Sequence, residues 1–177
     1  MDKVKRTSFL ASVIFFFCLI SSNGLAQSDS DAVASLKGLK GVFVLVEELG
    51  SYLENDGLNR DQIKTDVELK LRMAGIKVLT QAECFKLPGT PYLYINIASV
   101  GAKEPFPHTF AYNAEVSLYQ QGRFFYISRP IPAATWNKEK IAMVGRFNVQ
   151  NAIRTTVKDL MDGFINDYLS VNPKGGN

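Results

Sequence analysis

The stretch PYLYINIASV, residues 91–100, decides the fold. Leu93, Ile95 and Ile97 alternate with Tyr94, Asn96 and Ala98, a period of two that sends successive side chains to opposite faces of an extended chain. FAYNAEVSL, residues 110–118, repeats the pattern: Phe110, Tyr112, Ala114, Val116 and Leu118 alternate with Asn113, Glu115 and Ser117. Both segments read as strands with one buried and one wetter face. Gln120-Gln121-Gly122-Arg123 breaks the alternation before residues 124–127 resume it, which predicts a hairpin and an antiparallel meander. Pro130 and Pro132 have no N–H to give a ladder, so this strand either ends there or continues as a bulged edge through Ala133 to Trp136.

Upstream, Val42-Phe43-Val44-Leu45-Val46 is a continuous β-branched and aromatic run behind Gly41, suited to a strand covered on both faces, with Glu47 and Glu48 at its exit. After the turn residues Asn55-Asp56-Gly57, Asn59 stands three positions before Gln62, the spacing of a helix N-cap and its partner, and Asp61 suits the positive end of the helix dipole. Ile63, Val67, Leu71 and Ala74 then mark one apolar stripe, and Gly75 fits the residue just past a C-terminus. Residues 76–79 follow as a short strand. Downstream, Ile153, Val157, Leu160, Phe164 and Tyr168 predict a helix over residues 148–169, stopped by Asn172-Pro173. Its roughly 33 Å would cross a whole sheet. The order β-α-β-β-β-β-α, with each helix apolar on one side, predicts an α+β two-layer sandwich. Its mixed sheet has four to five strands, with two helices on one face.

Lys3, Lys5 and Arg6, an apolar run over residues 9–20 and the ending Gly24-Leu25-Ala26 have the order of a secretory signal peptide over residues 1–26. The apolar run is shorter than the roughly 20 residues that span a bilayer, so no membrane span is expected in the mature chain. A lipidated Cys18 is not expected either, because the bulky Phe17 precedes it. Residues 27–35 read as a flexible leader, 36–173 as one domain and 174–177 as a disordered tail.

The whole chain carries a formal charge of +3. The first 26 residues hold three basic side chains and one acidic, so the remainder is close to neutral and has no basic run. That argues against nucleic acid as a partner. Cys84 is left as the only thiol, so no internal disulfide is available.

The stretches GVFVLVEEL (41–49), ELKLRMAGIKVL (68–79), PYLYINI (91–97), TW (135–136) and FINDYLSVNP (164–173) together resemble a family of small exported bacterial proteins of unknown function. That resemblance implies a periplasmic or secreted setting in a Gram-negative envelope and carries over no catalytic residue. The element order also looks like small modules of curli-secretion and Tol systems, an analogy of fold only.

Chemical motifs are sparse. With one histidine, His108, a multi-histidine zinc site is excluded, and a hydrolase would have to use His108 or Cys84. Glu47 and Glu48 are adjacent on an extended chain and point to opposite faces, so they do not share a proton. Gly38 and Gly41 lack P-loop and dinucleotide spacing. No catalytic residue, metal or cofactor is therefore expected. The aromatic meander is the remaining signal: Tyr92, Tyr94, Tyr112, Tyr119, Tyr126 and Trp136 are the expected binding residues. The function expected is a non-enzymatic binding or assembly module, meeting a protein partner or a second copy through an open sheet face. The alternative is a carrier holding a small apolar ligand near Phe110, Tyr112 and Phe164.

Overall fold

Asn59 begins the first long helix as its spacing predicts. In the computed structural model, which describes residues 29–101, 108–123 and 125–173, its Oδ1 accepts from the N–H groups of Asp61 and Gln62 at 2.8 and 3.1 Å. The elements are α1 (Asp29–Ala34), β1 (Phe43–Val46), α2 (Ser51–Asn55), α3 (Arg60–Met73), α4 (Gln81–Cys84), β2 (Tyr92–Gly101), β3 (Thr109–Gly122), β4 (Ile131–Gly145) and α5 (Val149–Val171). Gly75 (φ 79) closes α3, and the N–H groups of Gly75 and Ile76 reach back to the carbonyls of Arg72 and Leu71.

The four strands lie in the order β1-β2-β3-β4. β1 runs parallel to β2, and the other two pairings are antiparallel. The α+β fold with a mixed sheet is as the sequence predicts. Leu93, Ile95, Ile97, Phe110, Tyr112, Val116 and Leu118 are all buried on one face, against Ile63, Val67 and Leu71 of α3 and Ile153, Val157, Met161 and Phe164 of α5. Both long helices therefore lie on that side and the other face is open. The described residues from Ala32 onward form one compact unit.

Several local expectations change. Residues 76–79 supply a single bridge, Val42 to Val78, because Thr80 at once opens a capping box with Glu83 that starts α4. Over the described residues 125–127 the strand expected to resume the alternation is not formed. Residues 125–127 belong to the β3–β4 connection, Phe124 lies outside the described residues, and β4 starts only at Ile131. β4 then runs to Gly145, nine residues beyond Trp136. It is the bulged edge strand foreseen: Leu118 pairs with Trp136 and Tyr119 with Ala134, which leaves Thr135 as the extra residue. Its hydroxyl accepts from Gln120 Nε2 at 2.9 Å. β1 is not covered on both faces, since Leu45 is exposed on the open side. Residues 29–34 form a helix where a leader was expected. The signal peptide expected over residues 1–26 and the tail expected at 174–177 lie outside the described residues.

Candidate docking face

Pairing register and burial together define the open face. Tyr92, Tyr94, Asn96, Ala98 and Val100 of β2 stand opposite Tyr119, Ser117, Glu115, Asn113 and Ala111 of β3. Asn113, Glu115 and Ser117 stand in turn opposite Ile141, Glu139 and Asn137 of β4. At one end three tyrosines gather. The rings of Tyr92 and Tyr119 stack at 5.3 Å, and Tyr94 meets Tyr119 edge-on at 5.8 Å. At the other end Val100, Ile141 and Met143 are 72%, 74% and 68% exposed. Between these apolar ends lies an acidic band.

Glu115 and Glu139 are directly opposed across β3 and β4, an arrangement that costs stability between like charges. Each has a local donor: Ser117 Oγ gives to Glu115 at 2.6 Å and Asn113 Nδ2 to Glu139 at 3.2 Å. Glu47 completes the band by accepting from the Tyr94 hydroxyl at 2.7 Å. That bond holds the Glu47 carboxyl below its ordinary range, helped by the Glu48 backbone, and is the main reason Tyr94 is pushed up to about 12. No strand position on this face is Lys or Arg. The basic residues of β4 point the other way, where Lys138 pairs with Asp167 at 2.9 Å and Lys140 with Asp159 at 3.9 Å on α5.

The structure thus divides the six aromatic residues expected to bind. Tyr92, Tyr94 and Tyr119 form the cluster on the open face. Tyr126 is fully out in the β3–β4 connection. Tyr112 and Trp136 are corrected to the helix side: Tyr112 bonds Thr156 Oγ1 at 2.8 Å, and Trp136 packs edge-on against Phe164 at 5.1 Å. The reason is register, since Tyr112 shares the inward parity of Phe110 and Ala114, and the bulge at Thr135 turns Trp136 inward. Sequence reading missed Glu139, Ile141 and Met143 as members of the face. Their signal was the alternation of residues 137–144, masked by its charges.

No family model matches the chain, and no curated protein matches it. Its fold is similar to that of a minor lipoprotein from Acinetobacter baumannii, at 10% identity over 75% of this chain and 94% of the other, with a TM-score of 0.38.

The remaining candidates are separated in space. Cys84 is buried, its thiol gives to the Pro91 carbonyl at 3.4 Å, and burial pushes its pKa up, which makes it a poor nucleophile. It sits beside the start of β2, whereas His108 precedes Thr109, beside the end of β2. The ten residues of β2 hold the two about 30 Å apart, too far for a nucleophile and its base. Glu47 and Glu48 have separate partners, Tyr94 and Arg60. Phe110, Tyr112 and Phe164 are buried members of the core cluster. The crevice between α3 and α5, lined by residues including Ile63, Asp66, Arg154 and Met161, has a volume of about 10 Å³, the size of one water. Among the described residues no helix is long and apolar enough to cross a membrane, and no group of three metal-ligating side chains is present.

Proposed function

We propose that this protein is an exported, non-enzymatic binding module of the bacterial envelope whose open sheet face receives a basic, apolar segment of a protein partner. The export part rests on Lys3, Lys5 and Arg6 ahead of the apolar run at 9–20, and on the resemblance drawn from the sequence. The binding part is carried by one observation: Glu47, Glu115 and Glu139 form an acidic band with no Lys or Arg at any strand position of the face, flanked by stacked tyrosines and exposed aliphatics. A partner's Lys or Arg would relieve the Glu115–Glu139 opposition and lie against tyrosine rings, and its apolar side chains would cover Val100, Ile141 and Met143.

The test uses Glu139→Lys. Fold and function pull in opposite directions there, because a lysine opposite Glu115 replaces a like pair by an unlike one and should raise stability by about 0.2–1 kcal/mol. Binding of an amphipathic lysine-leucine peptide, followed by fluorescence anisotropy, should weaken in the same variant and weaken with added salt. A glutamate-leucine twin should not bind. Equal binding of the two peptides, or unchanged binding by Glu139→Lys, would remove the proposal.

A further inference from the structure

From Val116 to Lys138 the chain contains no acidic residue, and two arginines, Arg123 and Arg129, bracket the β3–β4 connection. β3 and β4 are the longest strands, 14 and 15 residues, so their connection forms the tip of an extended hairpin. At that tip Phe125 is 95% and Tyr126 94% exposed, with their rings in edge contact at 5.1 Å. Ile127 beside them is also exposed. Among the described residues neither arginine is ion-paired. Single exposed apolar side chains are ordinary, but two adjacent aromatics fully in water add up to roughly 300–500 Å² of patch, the size at which surface patches are commonly functional.

We propose that this hairpin tip anchors the protein to an anionic bilayer surface. Charge selects the occupant. Two guanidiniums with no carboxylate near them in sequence suit lipid phosphates, and a Phe-Tyr pair suits the headgroup level, where aromatic rings gather. A convex tip needs no shaped pocket when its target is a soft, continuous interface. The acidic docking face does not oppose the contact: Glu115 lies seven residues from Gly122, about 23 Å along the strand, and this exceeds the Debye length of about 8 Å at physiological salt. The tip would therefore touch lipid while the face stays free for a partner.

Tyr126→Trp places an indole at the tip, and the native Trp136 is buried and silent to solvent. With vesicles of mixed phosphatidylcholine and phosphatidylglycerol, emission from position 126 should shift to the blue and become quenchable by brominated lipid. Vesicles of phosphatidylcholine alone should give a much smaller response. Arg123→Gln combined with Arg129→Gln should lower partitioning about 25-fold, roughly fivefold for each charge removed near the surface. Phe125→Ser should lower it roughly 10- to 100-fold. The proposal is overturned if the indole at 126 stays in water while the protein sediments with the vesicles, since another segment then holds them. It is also overturned if phosphatidylglycerol makes no difference, or if the blue shift follows protein concentration without lipid, which marks a protein contact.

Discussion

Replacing Trp136 by alanine separates a packing role from a binding role. The indole is 2% exposed, packs edge-on against Phe164, and gives its N–H to Asp167 Oδ2 at 3.0 Å. Asp167 also receives Lys138 Nζ at 2.9 Å, so the ring and the ion pair together tie β4 to α5. Truncating a buried Trp to Ala costs about 3–5 kcal/mol, mostly lost transfer energy and a cavity that relaxes only in part. Losing the ring contact with Phe164 contributes about 0.5–1.5 kcal/mol of that. Trp136→Phe keeps most of the apolar surface and removes the N–H. Asp167 would keep its lysine and some solvent, so about 1–2 kcal/mol is expected there. Urea unfolding followed by circular dichroism measures both. With m near 2 kcal/mol/M, Trp136→Ala should lower the midpoint by about 2 M and Trp136→Phe by less than 1 M. A Trp136→Ala protein that unfolds within a few tenths of a molar of the parent would refute the placement of this ring in the core.

Two further outcomes are expected. Gly41 has φ +147, and a Cβ there would lie 2.5 Å from the Lys77 carbonyl, so Gly41→Ala should cost about 3 kcal/mol and lower the urea midpoint accordingly. The Tyr94–Glu47 bond sets a pH window. Because Tyr94 is raised to about 12 when folded, its contribution is complete below the ordinary tyrosine value of 10.0 and disappears as pH climbs through 12. Glu47 is lowered, so its contribution is present above the ordinary 4.5 and lost as pH falls below that. Tyrosinate absorbance should show a late step near pH 12 that vanishes in Tyr94→Phe, and its persistence there would assign the step to another ring.

How much was legible depended on whether burial was apolar. α3 could be read in full because its cap, its stripe of Ile63, Val67 and Leu71 and its closing Gly75 are local signals that tertiary contacts reinforce. β2 and β3 were legible because most of their inward positions are apolar, from Leu93, Ile95 and Ile97 to Phe110, Ala114, Val116 and Leu118. The second half of β4 was not, since its inward residues Lys138 and Lys140 satisfy α5 through ion pairs and replace the apolar half of the alternation with charge. Residues 125–127 failed in the opposite sense: an aromatic run looked like a strand, yet no partner strand covers it. Parity in β3 separates the inward Tyr112 from the outward Tyr119, a distinction that the expected binding set did not draw, whereas Trp136 could be placed only by knowing the bulge at Thr135.

The same charge alternation explains why the open face is acidic. Along Asn137-Lys138-Glu139-Lys140, the pleat sends the lysines toward the carboxylates of α5, and Glu139 is delivered outward by default. Opposite it, β3 could have presented a lysine or threonine at no cost to the core, since position 115 does not pack against the helices. It presents Glu115, and the sheet carries a like-charge pair whose local donors, Ser117 and Asn113, hold the carboxylates in place on the surface. Packing on the helix side dictates the lysines but not Glu115. A stability-neutral account must treat that residue as accidental, whereas a face that meets cationic side chains gives it a physical reason.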